Sequence, residues 1–176
     1  FKKNYFYYFL LTYCVCGIFL SLNVGITHDE YHDFFVGESN KKFFLNTLFG
    51  KNYELETLEG LNLYYGSGFH FFSIPIEYIV NLLFNLDYIS SESKTILLKH
   101  PSVFIFFILS SIYFRKIIFF VTRDKHYSSL CAVLYLSYPY LLGHSFFNVK
   151  DIPFLSVWLV CTFCIANIAR NFYKEK

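Results

Sequence analysis

Residues 101–121 read PSVFIFFILSSIYFRKIIFFV, an apolar stretch interrupted by only two charged side chains, Arg115 and Lys116. About 20 consecutive apolar residues are enough to cross the hydrocarbon layer of a membrane as a helix. Three further stretches approach this length, and they cover residues 5–24, 128–145 and 154–170. The pattern therefore predicts an all-α, polytopic membrane protein with about four transmembrane helices.

The composition of the whole chain also favours a membrane protein. Of its 176 residues, 55% are apolar and only 16% are charged, whereas about 25% of the residues in a soluble domain are charged. The formal net charge is +2, so the chain lacks the basic excess that is typical of nucleic-acid binding. The chain begins at Phe1 and contains no Met, which leads us to expect a fragment of a longer polypeptide.

Basic residues flank the four predicted spans on one side of the membrane. They are Lys2, Lys3, Arg115, Lys116, Arg123, Lys125 and Arg170. Because Lys and Arg are enriched in cytoplasmic loops, we predict a cytoplasmic N-terminus and two outer loops, residues 25–100 and 143–153. A secretory signal peptide is the alternative for the first span, but the apolar run is longer than the ~7–15 residues of a signal core.

A fifth apolar stretch, residues 69–86, lies inside the first outer loop. Its polar residues recur at steps of three and four, and they are His70, Ser73, Glu77, Asn81 and Asn85. On a helix they form one narrow stripe, which predicts an amphipathic juxtamembrane helix with its stripe toward water or a cavity. A buried span in which Glu77 faces a partner helix is the alternative. The rest of this loop is expected to form short helices and turns.

Two groups of polar and ionisable residues lie in the predicted outer loops. Residues 27–33 read THDEYHD, and residues 143–154 read GHSFFNVKDIPF. A bare charge is unfavourable near a low-dielectric boundary, so such groups are typical of a site that faces a cavity, ion or substrate. We expect the two loops to bound one site, with Lys150 near a phosphate and Asp151 near a metal or a sugar hydroxyl. Helix capping by the first group, and snorkelling of Lys150 beside Asp151, are the structural alternatives.

Other residue patterns are less specific. His28 and His32 have the spacing of a zinc-protease helix, but that motif requires Glu after the first His, where Asp29 stands. The single His100 at the start of the second span is expected at the membrane interface. Five cysteines lie inside apolar runs and predict neither a disulfide framework nor a zinc site.

Taken together, four features of the chain resemble the GT-C membrane glycosyltransferases, and specifically the family 39 kind, relatives of protein O-mannosyltransferases and lipid A aminoarabinose transferases. The features are His28-Asp29-Glu30 after the first span, Tyr64-Tyr65-Gly66 before the amphipathic helix, Lys99-His100 at the second span, and the stretch at 143–154. The last is the most specific, although Val149 stands where this family commonly has Pro. The resemblance covers most of the chain, which corresponds to the N-terminal part of a GT-C transmembrane domain.

The resemblance implies an inverting transfer of a hexose or pentose from a polyprenyl-phosphate donor to a lipid, glycan or protein acceptor. By that similarity Asp29 is the catalytic acidic residue and Glu30 its partner in the motif. The implied substrate-binding residues are Lys150, Asp151, His144, Asn148 and Tyr65. The resemblance makes no cofactor certain and leaves metal dependence open; a divalent cation is one option, with Asp29 and Asp151 as candidate ligands. The implied location is a bacterial inner membrane, with the site facing the periplasm and no nucleic-acid partner.

A non-enzymatic membrane component, either a transporter or a scaffold fragment, is the alternative function. Charged residues within membrane segments commonly bind ions or neighbouring helices. This alternative predicts that Glu77 and His100 face a central pathway and that the two outer groups of residues stay apart.

Overall fold

A computed structural model of the chain describes residues 5–54, 68–84, 86 and 90–174, and the regular structure in these ranges is entirely helical. The prediction of an all-α protein is therefore confirmed. The helices of the described ranges are α1 (Tyr5–Ser21), α2 (His28–Phe49), α3 (Gly68–Phe84), α4 (Ser91–Leu97), α5 (His100–Thr122), α6 (Lys125–Leu136), α7 (Pro139–His144) and α8 (Asp151–Lys174).

The central helix is α5, which packs against α1, α3, α6 and α8. Its buried face carries Val103, Phe104 and Phe107, and these side chains meet Leu10 of α1 and Leu136 of α6. The apolar sequence of α5 therefore forms the core around which the other helices are arranged.

α1 approaches α5 closely because Gly17 has no side chain. The ring of Phe104 fills that space, and a Cβ atom on Gly17 would lie 2.0 Å from the ring. One turn earlier, the Tyr13 hydroxyl donates a hydrogen bond of 2.8 Å to the Leu136 carbonyl. α1 is thus fixed to both α5 and α6.

Replacing Gly17 by alanine is expected to lower the free energy of unfolding by about 1–3 kcal/mol, because Phe104 or α1 must move to admit the methyl group. Helix propensity alone would raise the free energy of unfolding, since alanine is favoured over glycine inside a helix by about 1 kcal/mol. Thermal unfolding in detergent measures the difference. Gly25→Ala is the control, since no atom lies within 4 Å of its Cβ position, and equal melting temperatures for the two variants would contradict the close approach.

Two segments are long and apolar enough to cross a membrane, Ser93–Thr122 and Asp151–Phe172. Only 33% and 17% of their most apolar windows are buried within the protein, whereas the core helix of a soluble protein is mostly buried. α1 and α3 are also apolar, with 17 residues each. α3 covers most of the stretch predicted as the amphipathic helix.

The third predicted span, residues 128–145, is divided in the structure. α6 ends at Leu136, and α7 begins at Pro139. Proline restricts the residue before it to an extended conformation, and Tyr138 accordingly has φ −66° and ψ 116°. The 12 residues of α6 measure about 18 Å along the helix axis. The structure therefore corrects the prediction of one continuous helix over this range.

The two ends of the helix bundle carry different groups. At one end, the Arg115 guanidinium lies 4.8 Å from the Phe6 ring centre and donates to the Ser129 hydroxyl at 2.9 Å. Arg170, near the end of α8, lies 5.0 Å from the Phe120 ring centre at the same end of α5. The starts of α2, α5 and α8 meet at the opposite end, where the candidate site lies.

Candidate functional site

α2 is one helix of 22 residues, where short helices and turns were expected. At its start, Glu30 Oε1 accepts a hydrogen bond of 2.6 Å from the Thr27 backbone N–H, as in a capping box. At its end, Gly50 adopts the left-handed conformation with φ 61°, which commonly terminates helices. Both signals, Thr27-x-x-Glu30 and Gly50, are present in the sequence, so this helix could have been predicted.

Glu30 is buried against the first residue of α5. Its Oε2 lies 2.5 Å from His100 Nε2, and His100 Nδ1 lies 3.0 Å from the Ser21 carbonyl oxygen. Because a carbonyl can only accept, Nδ1 carries a proton, and Glu30 and His100 share one further proton between them. This pair joins α1, α2 and α5.

These contacts differ from what the sequence suggested for both residues. His100, expected at the membrane interface, is fully buried, and Glu30 is 4% exposed. Glu30, predicted as the partner of the catalytic acid, faces α5 and is already engaged on both carboxylate oxygens.

Asp29 and Asp33 lie one helical turn apart on α2, about 6 Å along its axis. Asp29 is exposed, whereas Asp33 is buried with 8% of its surface accessible. Four residues correspond to slightly more than one turn, so the two carboxylates project from the same side of the helix. Asp33 belongs to the first group of ionisable residues, but no sequence pattern distinguishes it from its neighbours.

Lys150 connects the second group of residues to the first. Its Nζ lies 2.9 Å from Asp33 Oδ1, and the side chains of Lys150 and Asp33 are 42% and 9% exposed. The structure thus brings the loop before α8 to the first turns of α2. The contact is made through Asp33, and not through Asp29 or Glu30.

His144, Asn148 and Asp151 form a local hydrogen-bonded group. Asn148 Nδ2 lies 3.0 Å from His144 Nδ1 and 2.9 Å from Asp151 Oδ2. Asn148 Oδ1 also accepts the backbone N–H of Lys150 at 3.1 Å and that of Asp151 at 2.8 Å. Asn148 therefore shapes the turn that presents Lys150 and Asp151. Tyr65, the remaining predicted substrate-binding residue, lies outside the described residues.

A cleft of about 570 Å³ opens beside the Lys150–Asp33 ion pair, between α2, α3, α5 and α8. Its polar lining residues are Asp33, His70, Lys150 and Asp151, and its main apolar ones are Phe69, Phe72, Phe106, Phe154 and Val157. A few convergent polar groups within an apolar wall are typical of a small-molecule site. The charged end and the aromatic wall suit a ligand that has a polar head and an apolar chain.

A second group of charges, which we call the Lys99 cluster, lies where α2 and α3 meet the start of α5. Lys99 Nζ is 2.8 Å from Glu77 Oε1 and 3.5 Å from Glu38 Oε1, and its side chain is 2% exposed. Lys41 donates to Glu38 Oε1 at 2.6 Å, and the Ser73 hydroxyl donates to the Glu77 carboxylate. The polar stripe of α3 therefore faces neighbouring helices, and Glu77 contacts one of them.

The Glu38 carboxyl group is strongly acidic in this cluster. Burial raises its pKa. The neighbouring His70 and Lys41 and the charge of Lys99 lower the pKa by a larger amount, so that it falls from its ordinary value of 4.5 to about 2. Glu38 is therefore ionised at neutral pH. It provides a fixed negative charge beside the cleft.

Acid is expected to destabilise the protein through Glu38. Because the folded-state pKa is depressed, the ionised carboxylate contributes its full stabilisation above pH 4.5 and loses it as the pH falls toward about 2. The shift corresponds to at most about 3 kcal/mol, and solvent screening reduces the expected effect to about 1–2 kcal/mol. Urea unfolding measured across this pH range should show a shallower pH dependence for Glu38→Gln than for the unaltered protein. The exposed Glu54→Gln is the matched control, and identical pH dependences for all three proteins would refute the assignment.

Within the described segments, no three His, Cys, Asp or Glu side chains group as metal ligands do. Of the two candidate cation ligands, Asp151 lines the cleft, and Asp29 is not one of its lining residues.

Comparison with known proteins adds no assignment. No protein-family model, no curated protein and no solved structure matches the chain. The resemblance to GT-C glycosyltransferases thus rests on the motifs alone and stays a prediction.

Proposed function

We propose that the chain is part of a membrane glycosyltransferase that moves a sugar from a polyprenyl-phosphate carrier to an acceptor at the outer membrane face. The observation that carries the proposal is the cleft, in which the Lys150–Asp33 pair and Asp151 adjoin an aromatic wall. A polyprenyl phosphate has matching parts, an anionic head and a long apolar chain. Lys150, a cationic lining residue, can form a charge-assisted hydrogen bond with the phosphate.

The proposal includes a multi-pass arrangement in a bilayer. Exposed apolar side chains of Asp151–Phe172, such as Trp158, Ile165 and Ile168, are suited to contact with lipid, and Ser93–Thr122 is long and apolar enough to cross the bilayer. Arg115 and Arg170 are then cytoplasmic, in agreement with the enrichment of basic residues on that side. The cleft lies at the opposite end and opens to the periplasm, with α3 as the amphipathic juxtamembrane helix.

In the proposed reaction, the acceptor hydroxyl oxygen attacks the anomeric carbon of the lipid-linked sugar. Asp29 takes the hydroxyl proton, and the bond between the anomeric carbon and the phosphate oxygen breaks on the opposite face. The phosphate leaves with the bonding electron pair, and Lys150 stabilises its charge. Phosphate is a good leaving group, so catalysis depends mainly on positioning and charge stabilisation.

Binding of a lipid phosphate can be followed through Trp158, the single tryptophan of the chain. Its ring centre lies 6.1 Å from that of Phe154, which lines the cleft. Titration of protein-containing vesicles with farnesyl phosphate is expected to change the Trp158 fluorescence saturably. Farnesol has the same chain without the phosphate and should bind more weakly. Equal responses to the two compounds would argue against a phosphate site.

Replacing Asp29 by asparagine in the full-length enzyme is expected to lower the rate of sugar transfer by about 10²- to 10⁴-fold, which is the typical contribution of a general base. The assay measures polyprenyl phosphate released from a panel of polyprenyl-phosphate hexoses and pentoses. Membrane insertion and farnesyl phosphate binding should stay unchanged, since Asp29 is exposed and does not line the cleft. His28→Gln, at the neighbouring exposed position, is the control. Unchanged turnover in the Asp29 variant would remove Asp29 from the mechanism.

An ion-binding membrane component is the second candidate, and the Lys99 cluster favours it, since buried charges between membrane helices commonly mark ion paths. It predicts protein-dependent ion flux across vesicles and no consumption of any lipid-phosphate sugar. The contact between Lys150 and Asp33 does not fit this candidate, which requires the two outer groups of residues to stay apart.

A further inference from the structure

His70 is the most deeply buried polar residue of the cleft, and the proposed transfer reaction gives it no role. Its side chain is 5% exposed, and its Nδ1 has no hydrogen-bond partner. The nearest ion-pair oxygen is Glu38 Oε1, at 3.7 Å, which is longer than a hydrogen bond. Nδ1 thus faces the Glu38 carboxylate, and Nε2 is the ring nitrogen left for a ligand of the cleft.

The charge of Glu38 determines which nitrogen of His70 carries the proton. The neighbouring His70, Lys41 and Lys99 keep this carboxylate ionised, and it therefore only accepts hydrogen bonds. A negative charge facing Nδ1 favours an N–H there over a lone pair. In the neutral imidazole, Nε2 then has the lone pair and accepts a hydrogen bond.

Gly37 provides the space that Nε2 occupies. A Cβ atom at this position would lie 1.8 Å from His70 Nε2, so the edge of the ring occupies the place of a side chain. Gly37 and His70 both line the cleft. Nε2 therefore lies where the cleft meets α2. The neighbouring Phe69 ring, 6.0 Å away in an edge-to-face arrangement, limits rotation of the imidazole.

The other charged groups that the structure describes around His70 have partners of their own. Asp33 and Lys150 neutralise each other across the cleft, at 2.9 Å. The charge of Glu38 is shared with Lys41 and Lys99, and that of Glu77 with Lys99. Asp151, on the rim, is exposed and hydrogen-bonds Asn148. A ligand that pairs with Nε2 must therefore supply a hydrogen-bond donor, such as a hydroxyl.

We propose that His70 binds a hydroxyl group of the cleft's ligand by accepting its hydrogen bond at Nε2, and that Glu38 is a positioning residue that orients the ring. The ligand class is an amphiphile with a hydroxylated, sugar-like head. Identification of that head as the donor sugar rests on the proposed function, whereas binding of the hydroxyl does not require the phosphate. His70 and Lys150 thus recognise different parts of one ligand, the sugar and the anion.

Nitrogen-15 NMR of histidine-labelled protein in nanodiscs tests the proposal. The His70 signal is identified by its loss in His70→Gln, and we expect the tautomer with the proton on Nδ1. Octyl β-D-glucoside, added below its micellar concentration, should shift the Nε2 signal. Octyltrimethylammonium has the same chain without a hydroxyl and should not. His126, next to Asp124 at the opposite end of the bundle, is the internal control.

In Glu38→Leu, the tautomer preference of His70 should be lost while the other histidine signals stay in place.

A proton on Nε2, or equal responses to the two amphiphiles, would overturn the proposal. An unchanged tautomer in Glu38→Leu would overturn the role of Glu38. The titration with farnesyl phosphate is independent of the His70 measurement. If farnesyl phosphate fails to bind while the glucoside still shifts the His70 signal, the transferase proposal fails and the hydroxyl site stands. If farnesyl phosphate binds but the glucoside does not shift the His70 signal, only the hydroxyl site is removed.

Discussion

Replacing Lys99 by methionine is expected to lower the free energy of unfolding by about 3–5 kcal/mol, since removal of one partner leaves the buried charges of an ion pair uncompensated. Lys99 is the cation that Glu38 and Glu77 share, and its side chain is 2% exposed. Methionine retains the length and much of the volume of the lysine chain, so the loss reports mainly on charge. Urea unfolding in detergent measures the change. Lys51→Met, at an exposed position, is the matched control and should change stability by less than about 0.5 kcal/mol.

A double substitution distinguishes charge from packing. Adding Glu77→Gln to Lys99→Met removes one of the two uncompensated carboxylates, so part of the lost stability should return. Glu77→Gln alone should be destabilising, because Lys99 and the Ser73 hydroxyl both donate to this carboxylate. If the two substitutions are simply additive, Lys99 and Glu77 do not interact as the structure shows.

Lys150→Ala and Asp33→Asn are expected to change the binding of farnesyl phosphate in opposite directions. Loss of a charge-assisted hydrogen bond removes about 1.5–3 kcal/mol, so Lys150→Ala should weaken binding about 10- to 100-fold. Asp33→Asn removes the carboxylate that now holds Lys150 at 2.9 Å and repels an incoming phosphate, so binding should tighten several-fold. Trp158 fluorescence measures both affinities.

The opposite signs separate a phosphate site from a general loss of fold, because a misfolded variant cannot bind more tightly. Lys51→Ala controls for the loss of a positive charge elsewhere on the protein. Weaker binding by both cleft variants would mean that the ion pair is structural and does not bind the phosphate.

The fold could be predicted well where apolar residues continue without interruption. The predicted spans at 101–121 and 154–170 lie within α5 (His100–Thr122) and α8 (Asp151–Lys174), since long apolar runs leave few alternatives to helix. The stretch at 128–145 has a similar composition, but Pro139 ends the continuous helix. An average of hydropathy over many residues does not reveal the effect of a single proline on the backbone.

The residues of the candidate site could be predicted as two groups but not as individual contacts. The sequence does not show that Lys150 reaches Asp33 instead of Asp29, because that choice depends on which side of α2 faces the loop before α8. Recognition of the helix start at Thr27 would have placed Glu30 and Asp33 on a helix. It would not have shown that Glu30 meets His100, since the two are 70 residues apart.

His70, Glu38 and Lys99 were missed as a group for a similar reason. Each is ordinary in its own segment, and the cluster exists only because α2, α3 and the start of α5 cross at one place. A partial signal was present, since the polar stripe of α3 includes His70 and Glu77 and had to face something polar. The need for glycine at position 37 is apparent only from the structure, in which the His70 ring lies against Gly37.

The most direct test of a single outer cleft is chemical cross-linking between Asp33→Cys and Lys150→Cys, with the five native cysteines replaced by alanine. A short bifunctional maleimide, applied to the protein in vesicles, should link these two positions efficiently. Asp33→Cys with Lys125→Cys, at the opposite end of the bundle, should not be linked. A link between 33 and 125, or the absence of one between 33 and 150 although both thiols are labelled singly, would contradict the juxtaposition of α2 and the loop before α8.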